Sequence, residues 1–474
     1  MLKALLYFLF FFIPIQLGRH FWFDWSYKLG VRVDYLSPTV FFTDILVLLI
    51  IAVFMVKNQK LPTRNRYAQS VAGGKVKSLI KSLKLRKISF LSRFIVILLI
   101  LAVNWWVFVV GENPWLFAYN FLRLGLLGLL GYIIAKTFTK KDFPQIIKVL
   151  NWALILQVSL AAYQVVVERS ADLWILGERS FSIITPGIAR FLAPGGQLLL
   201  RGYGTFPHPN VLGGFCLLML SANVFLFLSK FTTKVKEKSA PRGWYGIYMA
   251  GFVFSLLGIW LSMSVLAIVL SQVFLLGIGA WIFGRAGKQR ADIWVGLYGL
   301  MLVIPIIILV AGIWYLAAGN TDSISRRIVL LQYSWEMFKT SPVFGVGLGN
   351  YIPAMPEKPV GSTYFWQPVH NIPALILVET GLVGMVIAGW LFLKLFQNIK
   401  NQISNIKNTL RLRSEQARQK LNYQLLIIIG WWGVILITGL FDHYWLTLQQ
   451  GRLMLVMVVG LTFVGASNSQ KVEK

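Results

Sequence analysis

Twelve apolar runs, most of them within the span of about 17–25 residues that a helix needs to cross a bilayer, constrain this chain more than any other feature. They are Leu2–Leu17, Thr39–Val56, Phe94–Val110, Phe117–Ala135, Gln145–Val167, Val211–Ser229, Tyr245–Trp260, Ser264–Phe283, Ile293–Ala317, Ile372–Phe396, Tyr423–Phe441 and Leu446–Val464. With 57% hydrophobic residues, the chain exceeds the roughly half that soluble domains carry. An all-α, polytopic membrane protein of about 12 helices is therefore expected. No internal repeat or flanking soluble domain is visible, so residues 1–474 read as a single transmembrane domain. Leu2–Leu17 reads as an uncleaved first span, because an aromatic belt segment and not a small-residue cleavage site follows it.

The formal charge of +29 invites a nucleic-acid reading, but its distribution opposes one. Between Lys57 and Arg93 there are eleven Lys/Arg and no acid. Further basic clusters follow at Lys136–Lys141, Lys230–Arg242, Arg285–Arg290 and Lys400–Lys420. Each sits between apolar runs, as cytoplasmic loops do, whereas binding to nucleic acid needs a contiguous basic surface. Placing Lys57–Arg93 inside puts both termini in the cytoplasm. The loops Gly18–Pro38, Glu168–Pro209 and Asn320–Val369, which mix acids with bases, then face outward, with residues 318–369 as the large outer loop. Cys216 is the single cysteine and the four histidines are scattered without metal-ligand spacing, so neither a disulfide framework nor a metal site is expected.

Polar chemistry concentrates in the outer segments. In "HNIPALILVETGLVG", His370–Gly384, Asn371 suits a helix N-cap and Pro373 the first helical turn. His370 then stands just outside a helix N-terminus, where free amides and the helix dipole disfavour imidazolium. A neutral imidazole there can take a proton; the plainer reading is an anchor at headgroup level. In "SISRRIVLLQYSWEMFKTSPVFGVGLGNY", Ser323–Tyr351, the residues Ile328, Leu331, Trp335 and Phe338 recur at helical spacing, with Ser323 or Ser325 available as cap. An amphipathic helix on the outer membrane face is expected, carrying Arg326 and Arg327 in its first turns. "GVGLGN" lacks the pattern and context of a nucleotide loop and reads as a Gly-rich turn. "RGYGTFPHPNVLGG", Arg201–Gly214, reads as a constrained turn in which Asn210 caps the helix beginning at Val211. Arg201, with His208 as a second contact, suits an anionic phosphate group, as does the arginine pair. Glu379 is an intramembrane acid, functional by default and expected near the site; Arg123 is the other main intramembrane charge. In "FDHYW", Phe441–Trp445, Asp442 and His443 are candidate sugar contacts, or else a solvated turn.

The chain resembles the O-antigen ligase/polymerase superfamily of bacterial membrane glycosyltransferases. His370, Asn371, Gly381 and Gly384 reproduce the family pattern of His, Asn/Ser/Gln, nine residues, Gly, two residues, Gly. "RGYGTFPHPN" resembles the family's first outer arginine motif. "RIVLLQYSWEMFKTSPVFGVGLGNY" resembles its second, with Arg327 and not Arg326 in register. The resemblance runs from about Arg201 to Gly384. It implies transfer of a glycan from an undecaprenyl-pyrophosphate carrier to an acceptor hydroxyl of a glycan, lipid or protein. The reaction would occur on the outer face of the cytoplasmic membrane, with no cofactor, no metal and inversion at the transferred carbon. By the same resemblance His370 is the general base and Arg201 and Arg327 hold the pyrophosphate. The small-residue face Gly381-xx-Gly384-xxx-Ala388 is expected to serve helix packing. A lipid-linked-glycan flippase is the competing class; such machines place ionisable groups and broken helices near the midplane.

Overall fold

A computed structural model describes residues 1–58, 112–193, 196–232, 243–286, 322–357, 366–411 and 423–464. The expected spans Phe94–Val110 and Ile293–Ala317 lie outside the described residues. The helices are α1 (Leu2–Phe12), α2 (Phe42–Asn58), α3 (Pro114–Thr137), α4 (Phe143–Val167), α5 (Pro209–Thr232), α6 (Gly243–Ser262), α7 (Val265–Ala286), α8 (Asp322–Thr340), α9 (Tyr351–Ala354), α10 (Ile372–Arg411), α11 (Tyr423–Gly439), α12 (Tyr444–Thr447) and α13 (Gln449–Thr462). Each of the ten other apolar runs thus falls on a helix. Four described helical stretches are long and apolar enough to cross a membrane: Pro114–Thr137, Lys140–Val167, Pro209–Leu228 and Ile372–Ser404.

The centre of the bundle is α5. Within its membrane window 89% of residues are buried, against 17% for the window of α10, so α5 is enclosed by protein and α10 lies at the periphery. A helix apolar on all sides suits that enclosure. The polar side chains of α5 are paired within it: Asn223 and Asn151 of α4 exchange two hydrogen bonds of 2.8 and 2.9 Å.

Three short antiparallel hairpins lie in segments assigned to the outer side: Gly18–His20 with Thr39–Phe41, Tyr27–Lys28 with Val31–Arg32, and Arg190–Leu192 with Leu198–Leu200. The first shortens the expected span Leu2–Leu17. Helix α1 ends at Phe12, since Pro14 has no N–H to extend the ladder. The chain then leaves to pair with residues 39–41, and Leu17 accepts from the Phe42 amide at 2.8 Å. These loops meet one another: Lys28 Nζ donates to the carbonyls of Ile352, Pro353 and Met355 at 2.7–3.0 Å, and Asn113 N donates to Asn350 Oδ1 at 2.9 Å.

Helix α8 starts at Asp322, so Ser323 and Ser325 lie inside it and not at its N-cap. It docks through Leu330, Ser334 and Met337, with Ser334 Oγ 2.8 Å from Tyr351 Oη. Ile328, Leu331 and Trp335, the apolar stripe expected from the sequence, remain 45–56% exposed. An apolar face turned away from the protein suits a helix lying on lipid.

The two glycines of the histidine motif do something other than bring helices together. At Gly381, with φ 62° and ψ −165°, α10 is broken, and residues 342–347 fill the break. Leu382 N and Val383 N donate to Pro342 O and Val343 O at 2.9 and 3.1 Å, while Val346 N and Gly347 N donate to Val378 O and Glu379 O, both at 2.9 Å. A Cβ on Gly381 would lie 2.3 Å from Val343 O, and one on Gly345 2.5 Å from the Thr380 amide. Beside Gly384 the space is taken by Thr380 of the same helix, 1.9 Å from a built Cβ. The small-residue reading is therefore corrected: glycine here opens a helix so that a loop can satisfy its backbone. Because this φ/ψ region is essentially confined to glycine, at a cost of about 1–3 kcal/mol for other residues, Gly381→Ala should lower the apparent melting temperature of the purified protein. An unchanged melting curve in detergent would contradict the role assigned to the break.

Candidate active site

The first arginine motif is fastened to its neighbours before it reaches the site. Gln164 Oε1 of α4 accepts from the amides of Tyr203 and Gly204, both at 2.9 Å, and Gln157 Oε1 accepts from Thr205 N at 2.7 Å. Gly204 has φ +60°, and a Cβ there would lie 2.6 Å from Gln157 Oε1. The turn between α6 and α7 is held by the same motif, with Gly202 N on Leu261 O at 2.8 Å and Arg201 Nε on Ser262 O at 2.9 Å.

Asn210 does not cap its helix. Helix α5 begins at Pro209, and the Asn210 side chain becomes a bridge instead: its Oδ1 accepts from Arg201 Nη2 at 2.8 Å and its Nδ2 donates to Asp442 Oδ2 at 2.9 Å. His208 Nδ1 accepts from Asn210 N at 3.1 Å. Desolvation, reinforced by the charge of Arg201, pushes His208 down to about 3, so it is neutral at pH 7.

From the other side comes the histidine motif, and here the expectation holds. Asn371 Oδ1 accepts from Ala374 N at 2.8 Å, an N-cap, and its Nδ2 donates to Leu440 O at 3.0 Å, tying the start of α10 to the end of α11. His370 is set just before that cap, with its side chain 17% exposed and its Nδ1 3.5 Å from Asp442 Oδ1.

Asp442 joins the three segments. The turn that carries it is not a solvated one, since Asp442 is 7% and His443 3% exposed. Asp442 Oδ1 also accepts from His443 N at 2.8 Å. Burial alone would raise its carboxyl, but the hydrogen bond from His370 outweighs that and holds it well below the usual carboxylate range. The His443 ring lies 4.9 Å from the His370 ring, tilted by 36°, and has its Nδ1 2.7 Å from Thr447 Oγ1. Desolvation by burial pushes His443 down to about 3. The charge of Arg327 on α8 acts on His443 in the same direction.

Scattered positions gave no metal-ligand pattern in the sequence, yet the fold gathers His370, Asp442 and His443 with possible ligand atoms within 4.8 Å of one another. Both Asp442 oxygens and His443 Nδ1 are engaged with protein groups.

All four histidines line one cavity of about 200 Å³. Its other walls hold groups that sequence reasoning did not assemble: Asp34, Tyr35 and Arg179 from the outer loops, and Arg123, Gln449 and Arg452 from α3 and α13. Arg123, noted in the sequence as an intramembrane base, is 3.3 Å from Asp44 and also bonds Gln449, whose Nε2 reaches Asp44 Oδ1 at 2.7 Å. Arg452 Nη2 donates to Asn120 Oδ1 at 3.0 Å. Polar residues interrupting an apolar run were the available signal for Gln449 and Arg452.

Neither Arg201, Arg326 nor Arg327 is among the lining side chains, and neither is Glu379. Glu379 accepts instead from the backbone amides of Gly349 and Tyr351, so the "GVGLGN" turn wraps an acid next to the Gly381 break.

No curated protein matches the chain. Residues 250–389 match the family model described as O-Antigen ligase, a segment that holds Arg326, Arg327, His370, Asn371 and both motif glycines and stops short of Asp442. Over that segment, less than a third of the chain, the protein is similar to the O-antigen ligase family.

Proposed function

We propose that the protein transfers a glycan from an undecaprenyl-pyrophosphate carrier to an acceptor hydroxyl at the outer face of the bacterial cytoplasmic membrane, with both chain termini in the cytoplasm. The observation that carries this reading is the His370–Asp442 pair, set at a capped helix N-terminus and open to a polar cavity. With Nδ1–H directed at the Asp442 carboxylate, His370 presents the lone pair of Nε2. The acceptor oxygen attacks the anomeric carbon, its proton passes to Nε2, and the bond to pyrophosphate breaks with the electron pair leaving on phosphate. Single displacement inverts the configuration. Asp442 positions the ring and stabilises the imidazolium formed, and Arg201, through Asn210, holds Asp442 in turn. Arg327, on α8, and Arg201 supply positive charge for the departing pyrophosphate. The leaving group needs no metal.

The break in α10 is a feature that transporters also use. Here four backbone hydrogen bonds join the break to residues 342–347 of the protein itself. Transfer therefore fits the geometry better than transport.

Ligation to a lipid A core, polymerisation of repeat units and transfer to a protein side chain share this chemistry. Purified protein given a lipid-linked oligosaccharide together with each acceptor in turn should yield one coupled product by mass, with release of the pyrophosphate carrier. Turnover with none of the three would overturn the proposal.

A further inference from the structure

The reaction as proposed draws on Arg201 and Arg327 for positive charge, yet neither lines the cavity that holds His370 and Asp442. Three other arginines do: Arg123, Arg179 and Arg452. Two of them are engaged by the protein. Arg123 is shared among Asp44, Gln449, Tyr119 and Thr39 O, and Arg452 donates to Asn120 Oδ1 and Leu446 O. Arg179 differs. Its side chain is 51% exposed, and among the described residues only its Nη2 is hydrogen-bonded, to Pro207 O at 3.0 Å. Its carboxylate partner, Asp34, stands 3.7 Å away and is itself 60% exposed. An exposed pair at that distance contributes little, so most of the guanidinium fork is available to an anion. We infer that Arg179 and the neighbouring His208 make the direct contact with the pyrophosphate that departs in the proposed glycosyl transfer, a reading on which the inference rests.

His208 contributes as an uncharged donor. Its Nδ1 accepts from Asn210 N at 3.1 Å, so in the neutral ring the proton is on Nε2. That tautomer bars His208 from the role given to His370, because its one lone pair is taken, and leaves it an N–H to offer. No described residue accepts that N–H, and Nε2 is not sealed in protein either: among the described residues, the sealed side-chain atoms without a partner belong to Trp25, Trp366 and Gln450. His208 lines the cavity and follows Pro207, whose carbonyl holds Arg179, so guanidinium and imidazole are placed side by side. The surroundings are basic as well. Arg179, Arg190 and Arg201 all act by charge on the Tyr203 hydroxyl, and the Tyr203 ring lies 6.4 Å from that of His208. A planar fork that grips phosphate oxygens in pairs and an N–H already fixed before the charge develops both suit a departing pyrophosphate. Asp34 is then the group that the more highly charged ligand displaces from Arg179.

The experiment titrates inorganic pyrophosphate by calorimetry into the purified, detergent-solubilised protein, with transfer from a lipid-linked oligosaccharide followed separately. The wild-type protein should bind pyrophosphate. Arg179→Ala should weaken that binding about tenfold or more, and Arg179→Lys should recover only part of it, because an ammonium lacks the fork. His208→Phe, which keeps a flat ring without the N–H, should also weaken binding, whereas His208→Gln, whose amide can donate, should retain most of it. Asp34→Asn should act in the opposite direction and tighten binding up to about fivefold, the most that an exposed ion pair usually holds. A pair that merely strapped two outer loops together would give loss with both Arg179→Ala and Asp34→Asn. No binding by the wild type, unchanged binding by Arg179→Ala, or weaker binding by Asp34→Asn would each overturn the inference, and unchanged binding by His208→Phe would overturn the imidazole contact. Asp34→Asn and Arg179→Lys keep the test decisive should Arg179→Ala fold poorly. Pyrophosphate binding that depends on Arg179 in a protein without transfer would count against the proposed reaction alone. Transfer at an unchanged rate and donor affinity in Arg179→Ala would count against the Arg179 contact alone.

Discussion

His370→Gln should lose about 10²–10⁴-fold in turnover, the usual contribution of a general base, while still binding the lipid-linked donor. Gln keeps a hydrogen-bonding group at the position but cannot accept a proton at neutral pH, so it separates proton transfer from positioning. The structure sharpens the expectation, because the ring is aimed by Asp442 and Asp442 is itself held by Asn210 Nδ2 and the His443 amide. Asp442→Asn should therefore also lower turnover severely: an amide turned with its NH₂ toward Nδ1 selects the tautomer that presents N–H, not a lone pair, to the acceptor. The measurement is single-turnover transfer from a purified lipid-linked oligosaccharide, with donor binding followed separately. A His370→Gln protein that kept most of the wild-type rate would reduce the histidine to positioning the acceptor at the helix entrance.

Arg201→Ala and Arg327→Ala should each lower turnover by about a hundredfold or more, as expected for groups that stabilise charge developing in the transition state, and should weaken donor binding as well. Arg326→Ala should do less. The two large effects have different structural routes. Arg201 reaches the site through Asn210 and Asp442, so its loss loosens the aim of His370 in addition to removing charge. Arg327, on α8, acts on His443 through its charge. Asn210→Ala separates the contributions at the first arginine: it should depress turnover with little change in donor affinity, because it cuts the relay and leaves the guanidinium in place. Mild and equal effects of all three arginine substitutions would instead support anchoring to lipid headgroups.

How much of this was legible beforehand follows from what each feature depends on. The Asn371 cap was readable because a cap is made within four residues of chain, and Asn371 Oδ1 does accept from Ala374 N. Asn210 carried the same local signal and does something else, since Arg201 and Asp442, 232 positions away from Asn210 in the latter case, compete for its side chain. The Gly381 pattern was recognised but its purpose was not: spacing alone cannot distinguish a glycine that lets two helices touch from one that opens a helix to a loop at 342–347.

Hydropathy and the motif spacings by themselves determined that this is a helical membrane protein with its polar chemistry gathered in the loops between apolar runs, because solvation by lipid acts on each segment independently. The tertiary structure alone decided that His370 pairs with Asp442, that all four histidines share a cavity and that Glu379 serves the "GVGLGN" turn. Those outcomes depend on which side chains of remote segments are desolvated together, and the free energy of a buried hydrogen bond or charge is set by its neighbours in space, which no single segment specifies.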